Sequence, residues 1–424
     1  MTDEKTTRLA QAIAARRDMA VRLVQEMVQR PSVESELEVG KYIGDWLQER
    51  GIDPDVWEPE IEDIRDLRGF VDLKGDYRGR PNLVAVIRGT GGGRSLALNG
   101  HMDVVPVEEA PWSHGGPWSG AYMDGKVYGR GAVDMKAGIA EALVLVDALQ
   151  ACGIQLKGDL QLHFVVDEEN GGNGTLAALG RGYTADGFIF LESTGTDTVL
   201  VANRGAQFFR ISVPGVEAGV MFMQANPNAI EKAMFLFQAV QRYSTQRTSQ
   251  ANHPLYASYP QRNMTKIPLA VCKIQAGSWP STLPARCVME GTIECLPGED
   301  IHQVKEEFRS YLLDVARDDS WLKDHLPIIE WFGLWFEASA NDLSNPMITT
   351  LVSACKQVTG REPQLLGTGG CDLRLPLLNQ GIPSVLFGPG GSPLHVTDEY
   401  VDIDSLMEST QVLGRFVLEW CGAA

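Results

Sequence analysis

Apolar residues recur at helical spacing through the first 58 residues, which read as two amphipathic helices parted by Pro31 and Ser32, with Ser35 opening the second and Gly51 closing it. After a polar stretch rich in Asp, Gly and Arg, the pattern changes. The runs NLVAVIRG (82–89) and SLALNG (95–100), joined by the turn GTGGG, predict two strands in a hairpin. A long loop with Pro, Trp and Gly follows. The pattern then predicts a helix over 134–151, a strand in GDLQLHFVVDEE (158–169), a short helix that includes 176–179, and a strand in GFIFLE (187–192). That alternation predicts a layered α/β sheet with helices on its faces.

Beyond Arg204 the style shifts to strands paired with two helices. QFFRISVPG, a helix over about 227–242, AVCKIQAG, ARCVMEGTIECL, the helix DIHQVKEEFRSYLLDVA and IIEWFGLWFEA suggest a small α+β insert with one sheet face covered. From Pro346 the α/β style resumes, with a helix to Val358, the strand SVLF (384–387), a Gly/Pro-rich loop and a last helix from Ile403. The expectation is one domain built from 1–206 and 339–424, with a second inserted at 207–338.

Composition narrows the function. The 424 residues carry 37 Lys and Arg against 55 Asp and Glu, a net charge of −18, which argues against nucleic acid and against an anionic membrane surface as the main partner. The 7 cysteines are odd in number and form no Cys-x-x-Cys, so neither a disulfide framework nor a zinc ribbon is indicated. A reducing cytoplasm fits best. The start MTDEKTTRLAQ lacks the apolar core of a signal peptide, and the most apolar stretch, 139–149, is interrupted by Glu141 and Asp147.

The candidate chemistry sits at strand ends. His101 and Asp103 follow a strand as His-x-Asp, a spacing that points both to one side of an extended chain, and a carboxylate there can hold the second ring N–H. A satisfied structural histidine is the alternative reading. Asp134 is delivered by a glycine loop to the start of a helix, where an acid can equally be a plain cap. Asp167, Glu168 and Glu169 crowd the end of an apolar strand, and three consecutive acids need a cation or full solvation to offset their repulsion. Glu192 ends another strand, and His395 follows SVLF and its loop. Ligand crevices form at the carboxyl ends of strands in open sheets. His101, Asp134, Glu169, Glu192 and His395 can serve two divalent ions if Asp134 bridges, and nitrogen and oxygen donors without thiolate suit zinc first, with manganese or cobalt as alternatives.

At these residues the chain resembles the dinuclear-metal amidohydrolases and exopeptidases of the peptidase M20 family, which include acetylornithine deacetylase, succinyl-diaminopimelate desuccinylase and the carboxypeptidase G type. The resemblance is carried by NGHMDVVPV (99–107), WSGAYMDGKVYGRGAVDMKAG (118–138), DEENGGNGT (167–175), FLES (190–193), GSWPSTLPARC (277–287), GGCDLR (369–374), and FGPGG with LHVTDEYV (387–401). It implies an α/β fold: a mixed-sheet catalytic domain with helices on both faces and an inserted α+β lid and dimerisation domain. One ion would be held by His101, Asp134 and Glu192, the other by Asp134, Glu169 and His395. Asp103 would orient His101 and Glu168 would act as general base. A cis peptide after Asp134 and a homodimer or higher homo-oligomer through the lid are further implications.

Arg374 is a candidate to grip a substrate carboxylate, with pairing to Asp372 as the competing role. One departure matters: the family's lid histidine, which stabilises the oxyanion from a neighbouring subunit, is replaced by Gly219. His253 is a candidate substitute. The adjoining Val220, Met221, Phe222 and Met223 suggest an apolar pocket roof, or ordinary lid packing. Cys371 has no base paired with it in sequence and reads as a buried thiol.

The expected activity is hydrolysis of a C–N bond in a small carboxylate-bearing molecule, first an N-acyl amino acid amide. Hydrolytic deamination of an aromatic aminocarboxylate is the runner-up, and a non-catalytic metal- or ligand-binding protein is the alternative from another class. Glu168, which a mere binder would not need, argues for an enzyme.

Overall fold

A computed structural model describes residues 2–72 and 75–424. The chain divides into two compact units: the first runs to Ala202 and resumes over Ala340–Leu366 and Cys371–Ala424, and the second comprises Asn203–Ser339 with Gly367–Gly370.

The first unit is organised by a mixed sheet. Its centre is four parallel strands in the spatial order Leu160–Val165, Leu96–His101, Phe188–Phe190 and Ser384–Leu386. All four are buried along their length, which explains why their sequences read as continuous apolar runs and not as alternation. Antiparallel strands flank them, Asn82–Ile87 on one side and Thr198–Asn203 on the other. Helices cover both faces. Ile403–Trp420 packs with Pro346–Thr359, Thr2–Ala14 and Ala137–Ala151. A second layer, from Ile64, Leu176, Leu373 and Leu375, packs with Phe188 and Phe190 of the sheet.

Two local expectations need correction. Asn82–Ile87 and Leu96–His101 are not a hairpin, because Leu160–Val165 lies between them and pairs with both. The GTGGG loop wraps the approach to that inserted strand: Thr90 N donates to Leu156 O at 2.9 Å and Gly91 N to Lys157 O at 2.8 Å. A side chain at Gly89 or Gly93 would collide with the Lys157–Gly158 backbone, so these two serve close approach, while Gly91 and Gly92, at φ 98° and 81° with open space around them, make the turn. The N-terminal region forms three helices, Thr2–Ala14, Arg17–Val28 and Leu37–Gln48, not two. The unforeseen break lies at Arg16, whose guanidinium donates to Ala12 O at the end of the first helix (2.7 Å) and to Asp147 (2.7 Å).

A small antiparallel sheet positions two loops. Gly391–Ser392, Tyr400–Asp402, Lys126–Tyr128 and Ala121–Met123 pair in that order, which brings the chain around His395 beside the approach to Asp134.

The second unit is a four-stranded antiparallel sheet ordered Leu269–Ala276, Arg286–Cys295, Gly205–Pro214 and Ile328–Phe336. Helices Ala229–Gln250 and Ile301–Arg317 cover one face, closing a core around Phe209, Met289, Phe308 and Leu312. Their starts are set by Asn228 and Asp300, whose side chains accept from Ile230 N and His302 N. Ala229–Gln250 runs eight residues past the expected Arg242, since QRYSTQRTSQ offers no glycine or proline to stop it.

Candidate metal centre

The four parallel strands deliver their side chains to one end. His101 closes its strand, 1% exposed, and its Nδ1 lies 2.9 Å from the main-chain oxygen of Asp103. A carbonyl only accepts, so Nδ1 carries the proton and Nε2 is left to face the site. There Nε2 stands 3.1 Å from Asp134 Oδ1 and 3.7 Å from Glu192 Oε1.

Asp134 sits in a turn, Ala132–Lys136, that leads into the buried helix Ala137–Ala151, and the Asp134–Met135 peptide is cis, in line with the implication of the resemblance. Its two oxygens divide between two imidazoles: Oδ1 meets His101, while Oδ2 lies 3.0 Å from His395 Nε2. His395 also lies 3.1 Å from Glu169 Oε1. Ligand atoms of His101, Asp134 and Glu169 all fall within 4.8 Å of one another, as do those of His101, Glu168 and Glu192.

Asp103 acts differently from the sequence expectation. Its carboxylate Oδ1 is 3.5 Å from His101 Nδ1, too long for a good hydrogen bond, and the ring is oriented by the carbonyl of the same residue instead. The carboxylate is used elsewhere: Oδ1 accepts from Glu168 N at 3.2 Å and Oδ2 from Glu169 N at 3.1 Å. One residue thus ties the histidine to both glutamates. Asp167 separates from its neighbours through a left-handed backbone (φ 68°) and accepts from Tyr77 Oη at 2.8 Å.

The electrostatics are those of crowded acids. Burial, with the charge of Asp372 next, pushes Glu168 well above the ordinary glutamate range. Burial and then Asp134 push Glu192 to about 8. Burial alone would raise Asp134, but hydrogen bonds from His101 and His395 outweigh it and hold that carboxyl below its usual range. Hydrogen bonds to Asp134 and Glu169 raise His395 to about 10. The nearby basic side chains are engaged with other groups: Arg80 with Glu36, Arg130 with Glu399, and Arg374 with main-chain oxygens. Carboxylates and imidazoles that converge without a lysine or arginine among them fit the charge and donor needs of divalent cations.

Arg374 is corrected by its surroundings. It is 1% exposed, and its guanidinium donates to Cys371 O (2.9 Å) and Gly171 O (2.8 Å), with Asp372 Oδ1 at 3.7 Å. Those bonds brace the glycine turn behind Glu168 and Glu169, so the fork is not available to a substrate carboxylate. Asp372, 2% exposed, lies close enough to Glu168 to act on it by charge, and an acid that ends a Gly-Gly-Cys run is its signal in the sequence. Cys371 is buried, and burial pushes its thiol up, as its inert reading requires.

The remaining candidates lie on the second unit. His253 is half-buried and its Nδ1 accepts from Leu255 N at 3.3 Å, opening a short turn. Met221 and Phe222 are 82% and 58% exposed, beside a groove of ≈ 530 Å³ lined by Val220, Met223, Ile230, Trp279 and Leu283. Gly219 is in extended backbone, and a side chain there would meet nothing nearer than Phe222 at 3.9 Å.

Comparison with known proteins places these features in context. The family model for peptidase family M20/M25/M40 matches residues 97–419. The N-formyl-4-amino-5-aminomethyl-2-methylpyrimidine deformylase of Halalkalibacterium halodurans is 30% identical over 94% of this chain and 93% of its own. Among solved structures, the M20 family metallo-carboxypeptidase Sso-CP2 of Sulfolobus solfataricus aligns with TM-score 0.73 at 16% identity, covering 94% of this chain and 98% of that one. The YXEP protein of Bacillus subtilis, described as a dinuclear metal binding peptidase, aligns with TM-score 0.64 at 18% identity over 96% and 99% of the two chains.

Proposed function

The chain belongs to peptidase family M20/M25/M40 and is a metal-dependent hydrolase acting on carbon–nitrogen bonds, and from that premise we propose that it removes a formyl or similarly short acyl group from the amino nitrogen of a small, flat, ring-bearing amine. The observation that carries the reaction class is the convergence of His101, Asp134, Glu169, Glu192 and His395, with Glu168 among them, at the carboxyl ends of adjacent parallel strands. The choice of amine is supported by the deformylase relative and by the internal use of Arg374, which leaves a free amino acid without the clamp foreseen for its carboxylate.

In this reading His101, Asp134 and Glu192 hold one divalent ion and Asp134, Glu169 and His395 the other. Such ions, when bound, supply Lewis acidity to an acyl oxygen and acidify water. Glu168 takes the proton of the attacking water as the C–O bond forms and delivers it to nitrogen as the C–N bond breaks, yielding formate and the free amine. Asp103 holds the peptide that carries Glu168 and Glu169, so acid, base and ligand share one support. Met221 and Phe222 are proposed to meet the substrate's ring. Zinc is the favoured metal, a homodimer the favoured assembly and the cytoplasm the favoured setting.

The test is product analysis with metal-loaded enzyme. Formate released from an N-formyl aminomethylpyrimidine, faster than acyl release from N-acetyl or N-succinyl amino acids, is expected. Ammonia from an aminobenzoate, with no turnover of any N-acyl compound, would replace deacylation by deamination. Tight binding across the panel without turnover would make this a binding protein.

A further inference from the structure

The turn that carries Asp134 is closed at its two ends by main-chain bonds, Ala132 N donating to Gly129 O at 3.1 Å and Lys136 N to Gly131 O at 3.0 Å, but the Val133 and Asp134 amides between them bond to a side chain. Asp134 and Met135 have φ/ψ of −118°/91° and −132°/33°, far from helical, so the N–H groups at the head of the turn need acceptors from elsewhere. Glu399, fully buried, supplies them: its Oε1 accepts from Val133 N at 3.1 Å and from Asp134 N at 3.3 Å. Its other oxygen, Oε2, receives Arg130 Nη1 at 2.6 Å. Arg130 is 1% exposed and reaches two further main-chain oxygens, Val396 O and Pro106 O, each at 3.5 Å. Val396 follows His395 directly, and Pro106 lies three residues beyond Asp103. Lys136 anchors the far end of the turn through Nζ to Met27 O and Arg30 O, both at 2.9 Å.

We propose that Glu399, locked by Arg130, is a positioning residue that aims the Asp134 carboxylate so that its two oxygens divide between His101 and His395. Every group that hydrogen-bonds the Glu399 carboxylate is a donor, two amides on one side and a guanidinium on the other, with the Asp134 carboxylate as the nearby like charge, and only a carboxylate offers an acceptor oxygen to both sets. An amide at this position must turn its NH₂ against one set of donors. The turn then shifts, and the angle between the Asp134 oxygens and the two imidazoles shifts with it. A buried carboxylate serving bulk stability alone would have no reason to share its bonds between the Asp134 amide and an arginine that touches the loops after His101 and His395.

The proposal rests on the metal-hydrolase reading, and cobalt(II) titration of the metal-free protein, followed by visible absorption, tests it apart from activity. Glu399→Gln is expected to weaken cobalt binding by about tenfold to a hundredfold and to change the shape of the cobalt absorption band. Asp147→Asn, which breaks the half-buried pairs to Arg16 and Arg50 (2.7 and 2.8 Å) in the same unit, is the control. It is expected to lower the thermal midpoint and to leave affinity and band unchanged. If Glu399→Gln behaves like the control, Glu399 is structural only and the proposal is overturned. Should Glu399→Gln fail to fold, Arg130→Lys keeps the charge and loses the fork: a shifted band supports the proposal and a wild-type band overturns it. A wild type that takes up no cobalt removes the metal-hydrolase reading itself, and the proposal with it, which is distinguishable because no variant then differs from it.

Discussion

Asp103 shows how much depends on the atom and not the residue. Its carbonyl oxygen orients His101, and its carboxylate holds the Glu168 and Glu169 amides. Asp103→Asn keeps the carbonyl and one acceptor but turns an NH₂ toward the other amide. The expected outcome is a folded protein with His101 still oriented, kcat down by about tenfold to a hundredfold, and metal affinity weakened by a similar factor at one ion and little at the other. Stepwise metal titration against turnover checks this; equal loss at both ions would mean that the ring orientation had failed too. Glu168→Gln separates the roles further. It should keep two ions and an unchanged KM while kcat falls by about a hundredfold to ten-thousandfold, because in the proposed mechanism only the proton shuttle is lost. At this scale His101, Glu168, Glu169 and Glu192 were legible as candidate site residues because they end apolar runs, and Asp134 and His395 because glycine-rich loops carry them. Glu399 was not, because the amide it holds is 265 positions away, nor were the partners of Arg374, because a motif says nothing about which way a guanidinium turns.

Elements were legible where local pattern decides them and not where a distant strand does. The strand after Gly158 was recognised, but its insertion between Asn82–Ile87 and Leu96–His101 depends on pairing that no local run encodes. The helix Ala137–Ala151 raises a separate point. It is apolar nearly all round and fully buries Glu141, with Ser409 as a polar neighbour. Burial pushes that carboxyl well above its ordinary 4.5, so the folded state keeps a proton that the unfolded chain has lost. The contribution to stability is whole below pH 4.5 and is lost as pH rises through the folded value. His163, buried in Leu160–Val165, has the opposite sign: burial lowers it from 6.5 to about 3, so stability is whole above 6.5 and falls as the pH drops toward 3. Denaturant unfolding across pH should therefore show Glu141→Gln gaining on the wild type as pH rises, and His163→Gln gaining on it as pH falls below 6.5. Parallel curves for either variant would mean that its side chain already finds solvent.

For the whole molecule, the net charge of −18 divides into a solvated excess and a concentrated part. Glu168, Glu169, Glu192, Asp134 and Asp103 lie together in the first unit, where bound cations would reverse the local sign. Removing those cations leaves buried like charges that repel, and two glutamates already drawn toward protonation. The second unit has a separate core around Phe209 and Phe308 and none of these groups. Metal removal should therefore destabilise locally. A metal concentration about a hundred times Kd adds about 2.7 kcal/mol to the folded state, and chelation withdraws that amount. Hydrogen exchange would place the loss: faster exchange is expected at the end of Leu96–His101, across Ala132–Lys136 and at 166–170, with Ala229–Gln250 and Ile301–Arg317 unchanged. Uniform acceleration over both units would show that the cations support the fold at large, and no change anywhere would show that the acids at the strand ends are already neutral in the metal-free protein.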